Sequence, residues 1–280
     1  MVPLRKPVPG RTSPQTRARG EHFLVSQRAV AAILDAAALQ PGESVLDVGS
    51  GAGALARPAA QAVHPGGSVT AIEKQPRWAQ GLRAEGLPGV QVVQGNALRV
   101  RLPARIDAIV ANPPFRILPA LLRRLLDHGF GRAVLVVPQE LADRLTAQAR
   151  KDAPGPHYGK LTVQVGVRAK ATRLGPIPRR AFEPRPEVDC ALLKVVPKAA
   201  GLREPTALAV LDEVLDHAWT GRARTLRHAL APLAGRGWTP QQVSDALQPG
   251  GARDRRFHEV SPWEFGQIAA VLAPLRADDY

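Results

Sequence analysis

The sequence predicts an α/β fold: a mostly parallel sheet wound on both faces, followed by a small all-α domain. Three features predict it. Short apolar runs alternate with amphipathic segments of helical spacing through the first two thirds of the chain, the pattern of a parallel sheet with crossover helices. The first run, Ser44–Val48, passes into a glycine-rich turn, Gly49-Ser50-Gly51-Ala52-Gly53, as at the C-terminal edge of such a sheet. Beyond residue 205 the apolar residues recur at helical spacing only.

In chain order, residues 1–19 carry Arg5, Lys6, Arg11, Arg17 and Arg19 among prolines and a Ser/Thr cluster and read as a flexible basic arm. Gly20-Glu21-His22-Phe23-Leu24 follows, then an amphipathic segment with Val30, Ile33, Leu34 and Ala37 at helical spacing, ended by Gln40-Pro41-Gly42. The glycines at 49, 51 and 53 allow the backbone to pass close to a ligand. They alternate, unlike the G-x-G-x-x-G of a dinucleotide site, which suits a ligand without a pyrophosphate. A helix is expected at 54–63 and a second strand at 68–72, ending in Glu73. A carboxylate there can accept from both hydroxyls of a ribose. A third strand at 90–93 leads to Asn96, whose amide oxygen can accept from the amino group of an adenine.

The fourth strand, 106–110, delivers Ala111-Asn112-Pro113-Pro114-Phe115. An exocyclic amine such as adenine N6 is a weak nucleophile because its lone pair is delocalised into the ring. Two oxygen acceptors on its N–H groups pull the nitrogen towards a tetrahedral geometry, and the Asn112 side-chain carbonyl with the Pro113 backbone carbonyl offers that pair. Proline fixes φ and donates no N–H, and Phe115 supplies a face on which a base can stack. The alternative is an X-Pro-Pro turn that merely ends a strand. Further elements are expected as a helix at 118–126, a strand at 133–137, a helix at 140–149, and two final strands at 161–167 and 190–196 with no helix between them. Residues 197–205 read as a linker, and helices are expected at 207–218, 224–233, 240–247 and 262–272. Two arginine clusters, Arg222, Arg224 and Arg227 with His228, and Arg253, Arg255 and Arg256, are placed to meet phosphates.

Composition narrows the class. The net charge is +14 over 280 residues, with a sequence pI near 11.1, which calls for a polyanionic partner, most simply nucleic acid. A single cysteine, Cys190, excludes an internal disulfide framework and fits a reducing cytoplasm. No clustered His/Cys spacing suggests a metal, no apolar run is long enough to span a membrane, and no secretory signal opens the chain. A nicotinamide-dependent oxidoreductase and a non-catalytic nucleic-acid-binding factor are the rival readings. The alternating glycines and the Asn-Pro-Pro-Phe turn argue against the first.

With these residues in hand, the chain resembles the Rossmann-like class I S-adenosylmethionine-dependent methyltransferases, whose sheet has seven mostly parallel strands. More narrowly, it is similar to the ribosomal RNA adenine N6-methyltransferases, the family of the KsgA and Erm enzymes, from about Gly20 to Leu272. Gly20 to Leu24 is similar to the family's opening Gly-Gln-His/Asn-Phe-Leu, which closes over the cofactor. Pro138-Gln139-Glu140 with Tyr158-Gly159-Lys160-Leu161-Thr162-Val163 matches its mid-domain pattern. Phe182-Glu183-Pro184-Arg185-Pro186-Glu187-Val188-Asp189 matches its Phe-x-Pro-x-Pro-x-Val-Asp signature, which generic methyltransferases lack.

The resemblance implies S-adenosyl-L-methionine as cofactor, held by His22, Leu24, Gly49, Gly51, Gly53, Glu73, Lys74, Asn96, Ala97 and Asn112. It implies an adenine flipped from its stack and bracketed by Phe115 and Phe182, with Asn112 and Pro113 acting on the amine. Ribosomal RNA would be held by Arg179, Arg180, Arg222, Arg224, Arg227, Arg255 and Arg256. The chain departs from the family at Glu21, where Gln is usual, at Asn96, where an acid is usual, and at Pro113. Asn-Pro-Pro-Phe followed by Ala120-Leu121-Leu122-Arg123-Arg124 looks like Erm-type proteins that act on 23S rRNA and confer macrolide resistance. Arg224-Thr225-Leu226-Arg227 and Val260-Ser261-Pro262-Trp263-Glu264-Phe265 look like the 16S rRNA enzymes of KsgA type. The balance leans to 23S, with 16S as the alternative. The expected organisation is an arm at 1–19, a cofactor-binding catalytic domain at 20–198 and a helical RNA-binding domain at 199–280, in a monomeric cytoplasmic enzyme without a metal.

Overall fold

The structure, a computed structural model, describes residues 22–151 and 157–276. The expected basic arm and Glu21 lie outside the described residues. The described residues divide into two compact units, one of residues 22–142 with 172–197 and one of the described residues of 143–171 with 198–276. The segment 143–171, assigned from sequence to the catalytic domain, therefore groups with the helical one.

The first unit is organised by a seven-stranded sheet in the order β4-β3-β2-β5-β6-β9-β7. These strands are β2 (Ser44–Val48), β3 (Ser68–Glu73), β4 (Val90–Gln94), β5 (Ala108–Ala111), β6 (Arg132–Pro138), β7 (Ala169–Ile177) and β9 (Cys190–Pro197). β4, β3, β2, β5 and β6 run parallel, with Val45 opposite Val69 on one side and Ala108 on the other. β9 runs antiparallel to β6. All four residues of β5 are buried, as befits a strand covered on both faces. A separate pair, β1 (Phe23–Leu24) and β8 (Phe182–Glu183), sets Leu24 against Phe182 in antiparallel register.

The helix Gln27–Ala37 starts at Ser26, whose hydroxyl accepts from the Ala29 amide, and buries Ala29, Val30, Ile33 and Ala37. It ends at Ala38, which takes the left-handed conformation, three residues before the Pro41-Gly42 pair. A helix at Pro76–Ala84 was not expected from the sequence. It buries only Ala79 and Leu82, too few to show a period, although Pro76 at its first position is a start signal.

The sixth strand is displaced from its expected place. Residues 161–167 alternate polar and β-branched apolar residues like a strand, yet Lys160–Gly166 is a helix, capped where the Gly159 amide donates to Thr162 Oγ1. Its Val163 and the following Val167 belong to the core of the second unit. The strand lies at 169–177 instead. There it is a largely exposed sheet edge carrying Gly175 and Pro176, residues an edge tolerates and an interior strand does not.

The second unit is helical along most of its length. The helices Pro205–Thr220 and Pro262–Leu272 pack Val210, Leu211, Val214 and Leu215 with Phe265, Ile268 and Leu272. Phe257 centres the aromatic part of this core, 5.7 Å from Tyr158, 5.3 Å from Trp219 and 5.1 Å from Phe265 between ring centroids. The single helix expected at 224–233 is broken into Leu226–Ala229 and a 3-10 turn at Ala231–Leu233, because Pro232 cannot continue an α-helical ladder.

Candidate active site

Within the first unit, the C-terminal ends of β2, β3 and β5 and the Gly95-Asn96-Ala97 turn after β4 surround a cavity of about 610 Å³, which residues 22–25 also line. This is the edge where open α/β sheets bind ligands, and the volume is that of a nucleoside-sized site.

The glycine turn shapes its floor. Gly49 has φ +75°, and a Cβ there would stand 3.4 Å from Pro114 Cδ and 3.5 Å from Pro113 Cα. Those are ordinary contact distances, so it is the positive φ, which residues with a Cβ rarely adopt, that favours glycine here. Glu73, 8% exposed, ties the turn to β3. Its Oε2 accepts from the Gly51 amide at 2.9 Å and its Oε1 from the Gln75 amide at 2.7 Å. Each carboxylate oxygen has a second lone pair, so both keep an acceptor position.

Besides the Trp78 indole N–H, two polar groups in the wall are buried without a hydrogen-bond partner among the described residues. One is Asp47, 1% exposed, with both carboxylate oxygens unpartnered. Burial pushes its carboxyl up to about 7, and the Glu73 charge adds to the rise while the Ser50 hydroxyl and Ala56 amide oppose it. The other is Oδ1 of Asn112. The same amide donates through Nδ2 to the His22 carbonyl at 2.6 Å. The His22 ring lies 5.7 Å from Phe115, and its Nδ1 is 2.9 Å from the Pro184 carbonyl.

Of the residues expected from sequence, His22, Leu24, Gly49, Glu73, Lys74, Asn96, Ala97, Asn112, Pro113 and Phe115 all line this one cavity. Asn96 uses its Oδ1 to accept from the Leu98 amide at 3.0 Å, so that oxygen has one lone pair left rather than two. Gly51 and Gly53 lie behind the wall, against Phe23 and Leu82 respectively. Phe182, the other half of the expected bracket, is 2% exposed, packed in the core beside Leu24, and is not part of the cavity lining. Phe115 is therefore the aromatic face the cavity presents there. Sequence reasoning missed Asp47, Arg57 and Trp78, which also line it. An acid one residue before the end of a short, mostly apolar strand was the available signal for Asp47.

The arginines divide between the units. Arg179 and Arg180 are exposed on the first, Arg179 paired with Asp189 at 2.8 Å. On the second, Arg222, Arg224, Arg227 and Arg256 are exposed, and a bridge between Thr225 and Arg256 brings their two segments together. Arg222 lies 4.9 Å from the Trp219 ring centroid, and Arg227 is 3.4 Å from Asp254. Arg255 differs from expectation. Its guanidinium is shared among the Gly250, Gly251 and Glu259 carbonyls and the Glu264 carboxylate, so it holds the protein's own loop instead of offering a free cation.

Residues 15–248 match the family model of ribosomal RNA adenine dimethylases. The chain belongs to that family. A ribosomal RNA small subunit methyltransferase A of Thermosynechococcus vestitus is 32% identical over 267 residues, covering 92% of this chain and 96% of the relative. A probable ribosomal RNA small subunit methyltransferase A of Methanosarcina barkeri is 31% identical, covering 91% and 87%. Among solved structures, the 23S rRNA methyltransferase ErmE superposes with a TM-score of 0.67 at 27% identity, covering 89% of this chain and 99% of that one. A dimethyladenosine transferase from Plasmodium falciparum shares the fold, with a TM-score of 0.76 at 22% identity over 88% and 96% of the two chains. The protein is thus an S-adenosylmethionine-dependent rRNA adenine methyltransferase, as the glycine turn and the Asn-Pro-Pro-Phe turn led us to expect. No helix among the described residues is long and apolar enough to cross a membrane.

Proposed function

We propose that the protein methylates N6 of an adenine in small-subunit ribosomal RNA. The unpartnered Asn112 Oδ1 in the cavity wall carries the chemical part of this reading. The choice of RNA rests on the relatives named for the small subunit, which align over about nine tenths of the chain. The sequence alone leaned to 23S rRNA, and the likeness to ErmE keeps that target as the second reading.

The residues present fit the cofactor. Asp47 offers a buried carboxylate with no internal partner, suited to a cationic amine. Glu73 has free acceptor positions for ribose hydroxyls, and Lys74, Asn96 and Ala97 surround the place for the base. When bound, the cofactor supplies an electrophilic methyl group on a sulfonium. Asn112 Oδ1 accepts one N–H of the adenine amine and the Pro113 carbonyl the other, localising the lone pair on nitrogen. Phe115 stacks on the flipped base, and the His22 contact holds the Asn112 amide in the productive orientation. Positioning supplies most of the rate; no protein base is needed, because the methylated amine loses its proton to solvent. The exposed arginines of the second unit hold RNA phosphates without reading sequence.

The test is primer extension on both large- and small-subunit rRNA after expression of the full chain in a host lacking the modification. A stop on the small-subunit RNA alone supports the proposal. One on 23S rRNA alone, with macrolide resistance, replaces it with the second reading.

A further inference from the structure

Trp78 lines the same cavity as Glu73, from the first turn of the helix Pro76–Ala84. Its indole Nε1–H is buried and has no hydrogen-bond partner among the described residues. Buried tryptophan donors ordinarily find an acceptor, so this one calls for an explanation. The ring is held on its own element and across from it. Phe23 packs against it at 5.1 Å between centroids, tilted by 53°, and the Arg77 guanidinium lies 4.4 Å from the ring centroid. An indole fixed in this way keeps its one polar atom where the wall put it.

We infer that Trp78 Nε1–H donates to a ribose hydroxyl of the bound nucleoside cofactor. The inference rests on the reading of Glu73 as the ribose carboxylate. Glu73 is acceptor-only, and both its oxygens already receive a backbone amide. A hydroxyl that gives its hydrogen to Glu73 still has two lone pairs and needs a donor. An indole offers a donor and no acceptor. Glu73 and Trp78, five residues apart across the turn from β3 into the helix, supply the two halves of what a hydroxyl requires. The adenine amino group, itself a donor, cannot satisfy Trp78, whereas a ring nitrogen can, and the experiment separates these acceptors.

The full-length protein is titrated by calorimetry with S-adenosylhomocysteine and with its 2′,3′-dideoxyribose analogue. Trp78→Phe keeps the ring and removes only the donor. It should weaken S-adenosylhomocysteine about tenfold and leave affinity for the dideoxy analogue at the wild-type value. In the wild-type protein, the Trp78 indole N–H resonance, identified by its loss in Trp78→Phe among the four tryptophans, should move downfield with S-adenosylhomocysteine but not with the analogue. Equal losses for both ligands, or a resonance that responds alike to both, would assign the donor to another atom and overturn the inference. So would no loss at all. Glu73→Gln in the same titrations reports on the carboxylate separately. Should it bind both ligands with the wild-type ratio, the reading of Glu73 fails whatever Trp78 does.

Discussion

The Asn112 side chain, part of the cavity wall, donates through Nδ2 to the His22 carbonyl at 2.6 Å and leaves its Oδ1 buried and without a hydrogen-bond partner among the described residues. The contact decides which end of the amide faces the ligand. Flipping the amide would set Oδ1 against the His22 carbonyl oxygen, two acceptors at hydrogen-bond distance, and would aim a donor at an amine that has hydrogens to give. The opening segment thus does more than cover the cavity, since its backbone orients the acceptor.

Asn112→Ala should therefore lower single-turnover methylation of an rRNA fragment by about 100-fold or more, in line with the loss of one preorganised polar group. Cofactor affinity should fall far less, because the interaction lost is one strengthened in the transition state. Calorimetry with S-adenosylmethionine beside the kinetics checks the split. A variant that methylates at the wild-type rate would remove Asn112 from the mechanism.

Phe115→Tyr should retain most activity and Phe115→Ala should not. Phe182 is buried in the core and is not part of the cavity lining, so its truncation is expected to act through stability. Phe182→Ala should cost about 3–5 kcal/mol of folding free energy, the range for large core aromatics. Denaturation midpoints read beside turnover distinguish the two aromatics: a Phe182→Ala protein of unchanged stability but lost activity would restore it to the site.

What was legible in the sequence is what local chemistry encodes. The glycine turn, Glu73 ending its strand and Asn-Pro-Pro-Phe ending another are each set by neighbours along the chain, and each reached the cavity. Residues 160–166 misled because Leu161, Val163 and Val165 alternate with polar residues as in a strand, whereas the core of the second unit takes Val163 and Val167. The fate of Phe182 depends on a partner distant in sequence, Leu24, and that of Arg255 on the irregular folding of its own loop, which turns the Gly250, Gly251 and Glu259 carbonyls, four or five residues away, onto its guanidinium. No spacing rule sees those. The missing partners of Asp47 and Trp78 are likewise facts of three-dimensional packing.

The two kinds of arginine should separate in experiment. Neutralising Arg224 and Arg227, both exposed, should flatten the slope of log RNA affinity against log salt by about 1–2, since each phosphate contact contributes roughly 0.9. Arg255→Gln should instead lower the thermal midpoint, because Glu264 is left without its cation and the Gly250 and Glu259 carbonyls without their donor. An unchanged salt slope in the double variant would take that cluster out of the RNA interface.

Asp47 gives the site a pH dependence whose direction follows from its shift. The carboxyl is raised from 3.8 to about 7, with burial as the main cause. The folded protein therefore binds this proton more tightly than the unfolded chain does. Between about pH 4 and 7 the unfolded carboxyl is ionised while the folded one is not, and the stability gained by keeping it neutral is lost progressively as pH rises through that window. Above about 7 the folded protein carries the buried charge, and the loss levels off. At about 1.4 kcal/mol per unit, the whole effect is on the order of 4 kcal/mol. Asp47→Asn should accordingly raise the thermal midpoint at pH 8 and change it little at pH 4. Cofactor binding should run the other way. A cationic amine favours the ionised carboxylate, so affinity for S-adenosylmethionine should rise with pH, at most tenfold per unit, and flatten above about 7. Asp47→Asn should make that profile flat and weaken binding at pH 8. Thermal midpoints and calorimetric affinities across pH 5–8.5 test both directions together. A wild-type affinity that does not change with pH would mean that the Asp47 carboxyl does not face the amine.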